Sequence, residues 1–449
     1  MPCILLAALL LALPGSVGDN LAQPAPAAEN AFTLEQAVER ALQNSEPVQI
    51  AEKSVEAARA QARAARAQRL PSLNLTGSYV YNGVLLKQAL DFEGFPAVQD
   101  PAQNGEPIEI ELGTRHDYRG IAQIQWPIFT WWKTTRAVQA ADQTVLAEME
   151  ALNAVKQQTA LRTAEYFYAA LFAEKAAETA QRALEQTQRR LDIVQLRMEA
   201  GAATRLDLLQ ANVAKANAGA DAMRAENARA LAMSALAVSI GESSDLEFTA
   251  VGNFQYEPIE DPLDDLVETA LMNRHELKEA QALAEAAMRG VQIAKAANKP
   301  NVALTWTGSW SDNEKQDAQS VWSTGVGVSF PIFDGFATKA QTQTAEARLA
   351  QATLAVQALE RGVELETRQA YLAYQEAKAS IEALNEAVQQ AEEALRIANL
   401  SFENGLITSV ELADIELQRT QTELNQLRAA HDAAAAAARL ARAVGGLLP

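Results

Sequence analysis

Two long proline-free stretches, Ile128 to Glu257 and Ile332 to Leu448, dominate this 449-residue chain and end in matching turns. Each opens on a Pro-Ile-Phe, at Pro127-Ile128-Phe129 and Pro331-Ile332-Phe333, and each carries a Gly-x-x-Thr-x-x-acid segment, Gly201 to Asp207 and Gly405 to Glu411. Pro331, Gly405 and Glu411 each lie 204 positions after their counterparts Pro127, Gly201 and Asp207. A constant offset between anchors leaves no room for a net insertion, so the chain is a tandem duplication of one supersecondary unit. The expected organisation is a first repeat over 32–241, a connecting segment over 242–261 that could form a small belt, and a second repeat over 262–446.

Within each repeat, hydrophobic periodicity changes in a fixed order. A short helix comes first: Thr33 is a plausible N-cap with Glu35 and Gln36 behind it, and the pattern runs to about Gln68 with a break near Pro47. Its counterpart spans Pro262 to Asn298. After Pro71 and Pro300 the pattern alternates. Leu73, Leu75, Tyr79 and Tyr81, then Ala122, Ile124 and Trp126, share one face in the first copy. Val302, Leu304, Trp306 and Trp310, then Trp322, Val326, Val328 and Phe330, share one face in the second. The intervening residues are small or polar. This predicts hairpins with a polar tip over Ser311–Ser320 and a longer, mobile surface loop from about Lys87 to Leu112. Such strands suit a membrane barrel with a wet interior, or else a half-buried soluble sheet. Four strands cannot close a barrel, and open edges are forbidden in lipid, so a membrane sheet requires several chains to share it.

Helices of 69 residues are expected at Trp131–Glu199 and Gly335–Glu403, each about 100 Å long. Return helices of 37 residues follow at Thr204–Ile240 and Thr408–Val444. Rows such as Leu184, Thr187, Leu191, Val194, Met198 recur at three-four spacing, the mark of a coiled-coil seam. The short helices would continue the return helices and cover the rest of the long ones.

Composition removes other classes. A net charge of −19 leaves no basic face for nucleic acid. Cys3 is the only cysteine, which excludes a disulfide framework and thiol chemistry. Residues 1–18 read as a secretory signal peptide, with an apolar Ile4–Leu13 core and small residues up to Gly18. Met1-Pro2-Cys3 lacks the usual basic residues, so a start further upstream and a buried N-terminal strand stay open. Residues 19–31 are expected to form a flexible Pro/Ala-rich linker. No later stretch reaches 18 apolar residues, so no membrane-spanning helix is expected. The histidines are isolated, with no metal spacing, catalytic triad or P-loop, and neither an enzyme nor a cofactor is expected.

On these features the chain resembles the TolC family of outer-membrane efflux proteins (outer-membrane factors), over about Phe32 to Gly446. The most specific element is the strand-to-helix signature Phe330-Pro331-Ile332-Phe333-Asp334-Gly335, echoed by Pro127 and Phe129. There proline would end ladder pairing, and Asp334 or Thr130 would cap the helix. The resemblance implies a mainly α fold with a small β part: a homotrimer with a twelve-stranded β-barrel, four strands per chain, in the Gram-negative outer membrane, continued by a long α-helical coiled-coil tunnel in the periplasm. It implies partners too: a periplasmic adaptor, an inner-membrane pump and outer-membrane lipid.

The expected function is the outer-membrane channel of a tripartite efflux system. Alternatives are the exit duct of a type I protein secretion system and, from another class, a periplasmic coiled-coil scaffold without a pore. Glu411 and Asp414 would ring the periplasmic aperture as six carboxylates, with Asp207 at the same mouth or its latch. The competing account is that these are ordinary acids favoured by the helix dipole. The turns at Gly201, Thr204, Gly405 and Thr408 would dock the adaptor, although capping explains these residues by itself. Phe402 and Ile407 stand where some relatives place polar latch groups, so closure here is expected to rest on apolar contacts. Trp126, Trp131, Trp132, Trp306, Trp310 and Trp322 are candidates for interfacial girdles, whereas Tyr166, Phe167, Tyr168, Tyr371 and Tyr374 belong to the core.

Overall fold

The structure is a computed structural model and describes residues 31–90, 108–244, 249–254 and 258–446. The expected signal peptide, nearly all of the 19–31 linker and the middle of the 87–112 loop lie outside the described residues. Eight helices and eight strands are described: β1 (Ala31–Phe32), α1 (Leu34–Asn44), α2 (Glu46–Ala67), β2 (Ser72–Tyr81), β3 (Leu86–Leu90), β4 (Ile108–Leu112), β5 (His116–Phe129), α3 (Lys133–Glu199), α4 (Arg205–Ser239), β6 (Thr249–Ala250), α5 (Leu263–Asn273), α6 (His275–Lys295), β7 (Asn301–Asn313), β8 (Gln316–Ser329), α7 (Ala337–Glu403) and α8 (Ser409–Ala443).

The main sheet has the antiparallel order β2-β5-β7-β8. Its register aligns the apolar alternation across all four strands. Leu75 faces Ala122, Ala122 faces Gly308 and Gly308 faces Trp322; Leu73, Ile124, Trp306 and Thr324 form the next row. Because side chains alternate with period two, these rows lie on one face. The rows between them carry Asn74, Gln123, Thr307 and Ser323, or Ser72, Gln125, Thr305 and Gly325. One face is therefore mainly apolar and the other mainly polar, with Ile121 and Val321 as exceptions on the polar side. Gly308 is needed on the apolar face because the Trp306 ring lies across it; an added Cβ would sit 2.8 Å from that ring.

Three strand expectations need correction. The 311–320 tip is not a loop: β7 and β8 run to Asn313 and Gln316, and Asn313 Oδ1 accepts from the Lys315 and Gln316 amides to close a tight turn. Polar side chains do not stop a ladder whose bonds are made by the backbone. The ends of the 87–112 loop are paired as well, β3 against β4. Pro127 does not end its strand either; β5 continues to Phe129 through a register shift that accommodates the missing N–H.

The long helices start two residues later than expected, and both have 67 residues. Trp131 (φ 48°) and Trp132 (φ 59°), like Gly335 (φ 63°) and Phe336 (φ 68°), occupy the left-handed region and turn the chain from sheet to helix. Trp132 and Phe336 are thus the N-caps, without side-chain bonds, rather than Thr130 and Asp334. Those two still serve the first turn from further back. Asp334 Oδ2 accepts from the Thr338 amide at 2.8 Å, and Thr130 Oγ1 from Thr134 at 3.4 Å.

The short helices do continue the return helices. Gly241 (φ 78°), just after α4, sits against Asn44 at the end of α1, where an added Cβ would lie 2.9 Å away. Gly445 (φ 85°), after α8, meets Asn273 in the same manner. The lines α4–α2 and α8–α6 therefore flank the unbroken α3 and α7. The core is richest at this level. Phe167, Tyr168, Leu236, Ile240, Ala434 and Ala438 pack in one cluster, and Tyr374, Leu266 and Leu440 in another. The described parts of the connecting segment lie against it: β6 pairs with β1, Phe254 meets Tyr168, and the Ile259 amide donates to the Tyr374 hydroxyl.

Candidate functional site

At the end remote from the sheet, each helical hairpin turns through two fused caps. Gly201 and Gly405 lie at φ 75° and 74°. The Ala202 amide donates to the Arg197 carbonyl and Gly201 to Met198; Leu406 donates to Ser401 and Gly405 to Phe402. This is a Schellman motif. Three residues later Thr204 and Thr408 open capping boxes. Asp207 Oδ2 accepts from the Thr204 amide at 2.8 Å, and Glu411 Oε2 from the Thr408 amide at 2.7 Å. The threonine hydroxyls accept from the Asp207 and Glu411 amides in return. Every residue type in the Gly-x-x-Thr-x-x-acid motif is thereby explained by helix termination and restart.

These bonds act on charge. The Thr204 hydroxyl and amide hold the Asp207 carboxyl below its ordinary range, and the Thr408 amide and hydroxyl do the same for Glu411. Both groups are anionic at neutral pH. Glu411 and Asp414 are exposed on one face of α8, while Leu412 and Ile415 on the other pack with Phe402. Asp207 is turned toward the second hairpin, where the Ser409 hydroxyl donates to it at 3.3 Å.

Phe402 and Ile407 do make apolar contacts, in a cluster with Leu395, Ala398, Leu412 and Ile415. Besides the Asp207–Ser409 bond, polar links between the two hairpins come from residues that the sequence analysis did not single out. Arg190 on α3 pairs with Glu416 on α8 at 2.5 Å, both nearly buried. Glu423 gathers Arg182 and Arg419. Arg197 places its guanidinium 4.2 Å from the centre of the Phe402 ring and donates to the Phe402 carbonyl. A signal was available: Arg190 and Arg197 stand seven residues apart, as do Glu416 and Glu423, the spacing of complementary charges flanking a coiled-coil seam. Burial pushes the Glu416 carboxyl up, against the pull of Arg190.

Of the tryptophans, Trp126 sits at the base of the sheet, where its indole donates to the Arg69 carbonyl at 3.2 Å. Trp126, Trp131, Trp132, Trp310 and Trp322 are exposed, and Trp306 is half-buried. Phe167, Tyr168 and Tyr374 are core residues, as expected. His275, read as isolated, bonds to Glu150 at 2.6 Å.

A two-faced sheet continued by long paired helices defines an outer-membrane channel subunit. The profile of the outer membrane efflux protein family matches residues 37–242 and 266–446, and the chain belongs to that family. It is 28% identical to protein CyaE of Bordetella pertussis over 258 residues, covering 55% of this chain and 54% of that protein. It is 24% identical to the outer membrane efflux protein BepC of Brucella suis over 338 residues, 73% of each chain. Among solved structures, the Campylobacter jejuni CmeC outer membrane channel superposes with a TM-score of 0.76 at 16% identity, covering 97% of this chain and 94% of that one. The fold is that of the trimeric channels of this family, a shared barrel continued by a helical tunnel, and the protein is not an enzyme. It resides in the outer membrane with its large helical portion in the periplasm.

Proposed function

We propose that this chain is the outer-membrane subunit of a tripartite efflux assembly, a passive conduit for small molecules whose energy comes from an inner-membrane pump reached through a periplasmic adaptor. The observation that carries this reading is the geometry of each chain. A sheet with a mainly apolar face and a mainly polar one leads into helices about 100 Å long, which end in two turns free to meet a partner. Residues 32–241 and 262–446 serve as the two repeats, joined by 242–261. Gly201, Thr204, Gly405 and Thr408 shape the docking turns. Glu411 and Asp414 supply the carboxylates of the aperture, with Asp207 tying the first turn to the second hairpin. Pro127, Phe129, Pro331, Phe333, Asp334 and Gly335 form the junction between barrel and tunnel.

Expression with an inner-membrane pump and a periplasmic adaptor, in a host stripped of its own exit channels, should restore dye extrusion. Restored secretion of a polypeptide without dye extrusion would favour the protein-secretion duct instead. In planar bilayers, replacing both Glu411 and Asp414 by Ser should raise conductance and weaken block by multivalent cations; an unchanged channel would remove these residues from the aperture.

A further inference from the structure

The two repeats differ where each return helix meets its short helices. In the second repeat, Arg274 and Arg442 each pair with both Glu276 and Glu366, a closed quartet that ties the α5–α6 junction to α7 and α8. Arg274 is buried and also donates to the Ala443 carbonyl at 3.2 Å. Arg274 lies 229 positions after Ser45, as Asn273 does after Asn44, while the long and return helices keep the 204-residue offset. The positions of Arg274, Arg442, Glu276 and Glu366 are therefore held in the first repeat by Ser45, Val238, Pro47 and Arg162. Three of the four charges are gone and the fourth is reversed. A groove of about 670 Å³ lies there instead, and all four residues line it.

The groove is short of an anion. Arg162 is exposed, sits 5.9 Å from the centre of the Tyr166 ring and has no ion-pair partner among the described residues. Glu46, the one acidic residue in the wall, does not pair with it. Ser45 and Thr163, 4% and 1% exposed, also line the groove, and their hydroxyls have no hydrogen-bond partner among the described residues. Buried hydroxyls are normally paired: Thr367, the counterpart of Thr163, donates to the Val363 carbonyl at 2.9 Å. Val155, Leu231, Ala235 and the Tyr166 ring supply apolar wall. From this juxtaposition we infer that the groove binds a small amphiphilic organic acid, its carboxylate on Arg162 with the Ser45 and Thr163 hydroxyls turned to it and its apolar body along Val155, Leu231 and Tyr166. A guanidinium takes a carboxylate through two parallel bonds, and the volume is that of sites for drug-sized molecules. The bound acid bridges α3 to the α1–α2 junction, the link that the quartet makes between α7 and the α5–α6 junction. This site is independent of which cargo the conduit passes.

Equilibrium dialysis of radiolabelled naphthoate against the trimer in lipid nanodiscs, with protein-free nanodiscs as the blank, tests the site. Naphthoate should saturate at a single equivalent per chain and bind about tenfold or more tighter than naphthylmethylamine, which has the same apolar body and the opposite charge. Arg162→Glu should invert that preference, an outcome that loss of folding cannot imitate. Val238→Trp, which fills the groove and leaves Arg162 in place, should remove binding of both compounds. Hydrogen exchange at the α1–α2 junction should slow in the presence of naphthoate, and should not respond in the Val238→Trp trimer. Naphthoate held no better than by protein-free nanodiscs, as when a neighbouring subunit fills the groove, would overturn the inference. So would binding that is blind to charge or that Arg162→Glu leaves unchanged.

Discussion

The Arg190–Glu416 pair offers an asymmetric test of how the two hairpins are held together. Their side chains are 7% and 15% exposed, so removing either partner leaves a charge in a nearly dry site. Breaking such a pair typically costs about 3–5 kcal/mol. The two deletions should nevertheless differ. In Glu416→Ala the stranded group is a guanidinium, which cannot shed its proton, so the full penalty is expected. In Arg190→Ala the stranded group is a carboxyl that burial already pushes up, so it escapes by taking a proton. The cost should then be roughly 1–3 kcal/mol, mostly a lost charged hydrogen bond. The sign with pH follows. With its folded-state value raised above the unfolded one, Glu416 binds a proton more readily in the native state, so the Arg190→Ala penalty shrinks on acidification and grows as pH rises. Hydrogen exchange of the α8 amides in the trimer reads the difference. At roughly 1.4 kcal/mol per decade, Glu416→Ala should speed local exchange by about two to three orders of magnitude and Arg190→Ala by one to two. Joint replacement by methionine should cost less than Glu416→Ala. Equal effects of the single changes at pH 7, or effects below about 0.5 kcal/mol as for a solvated pair, would refute the reasoning.

Three further outcomes follow from local geometry. Thr408→Ala removes a capping box and should cost about 1 kcal/mol of helix-start stability, measured as faster exchange confined to the first turn of α8. Asp207 and Glu411 are both depressed, so their capping contribution is complete above the ordinary carboxylate range and is lost as pH falls through their lower folded values; below about pH 4, first-turn amides of α4 and α8 should lose protection while the helix centres keep theirs. Trp131→Gly places glycine where the second repeat already has it and relieves a left-handed side chain worth about 1–2 kcal/mol, so heat resistance of the trimer should rise, whereas Gly335→Ala should lower it.

Much of this architecture was legible in the sequence because its signals are periodic and occur twice. The 204-residue offset located both turns and both long helices, and the alternation of Leu73 to Tyr81 and Val302 to Trp310 located the hairpins and assigned the faces that the sheet register bears out. What escaped depends on backbone or on distance in the chain. Asn313 closes its turn by a side-chain bond to amides, so the polar run around it looked like a loop. Trp131 and Trp132 adopt a conformation that residue type argues against. His275–Glu150 and Arg190–Glu416 join residues more than a hundred positions apart, and only the heptad spacing of the second pair could have suggested it.

The order of strands in the sheet carries a consequence for biogenesis. β7 and β8 are neighbours in the chain and can zip together at once, but β5 must find β7 across the α3–α4 hairpin and the α5 and α6 helices that follow it, as Gln123 opposite Thr307 shows. Loop closure of that size is slow unless the intervening helices have already folded back. Even then β2 and β8 remain as bare edges, which lipid does not tolerate. A solitary copy therefore has no stable way into the bilayer; insertion and association become a single step, and its rate should climb far more steeply than linearly with the number of copies waiting in the periplasm.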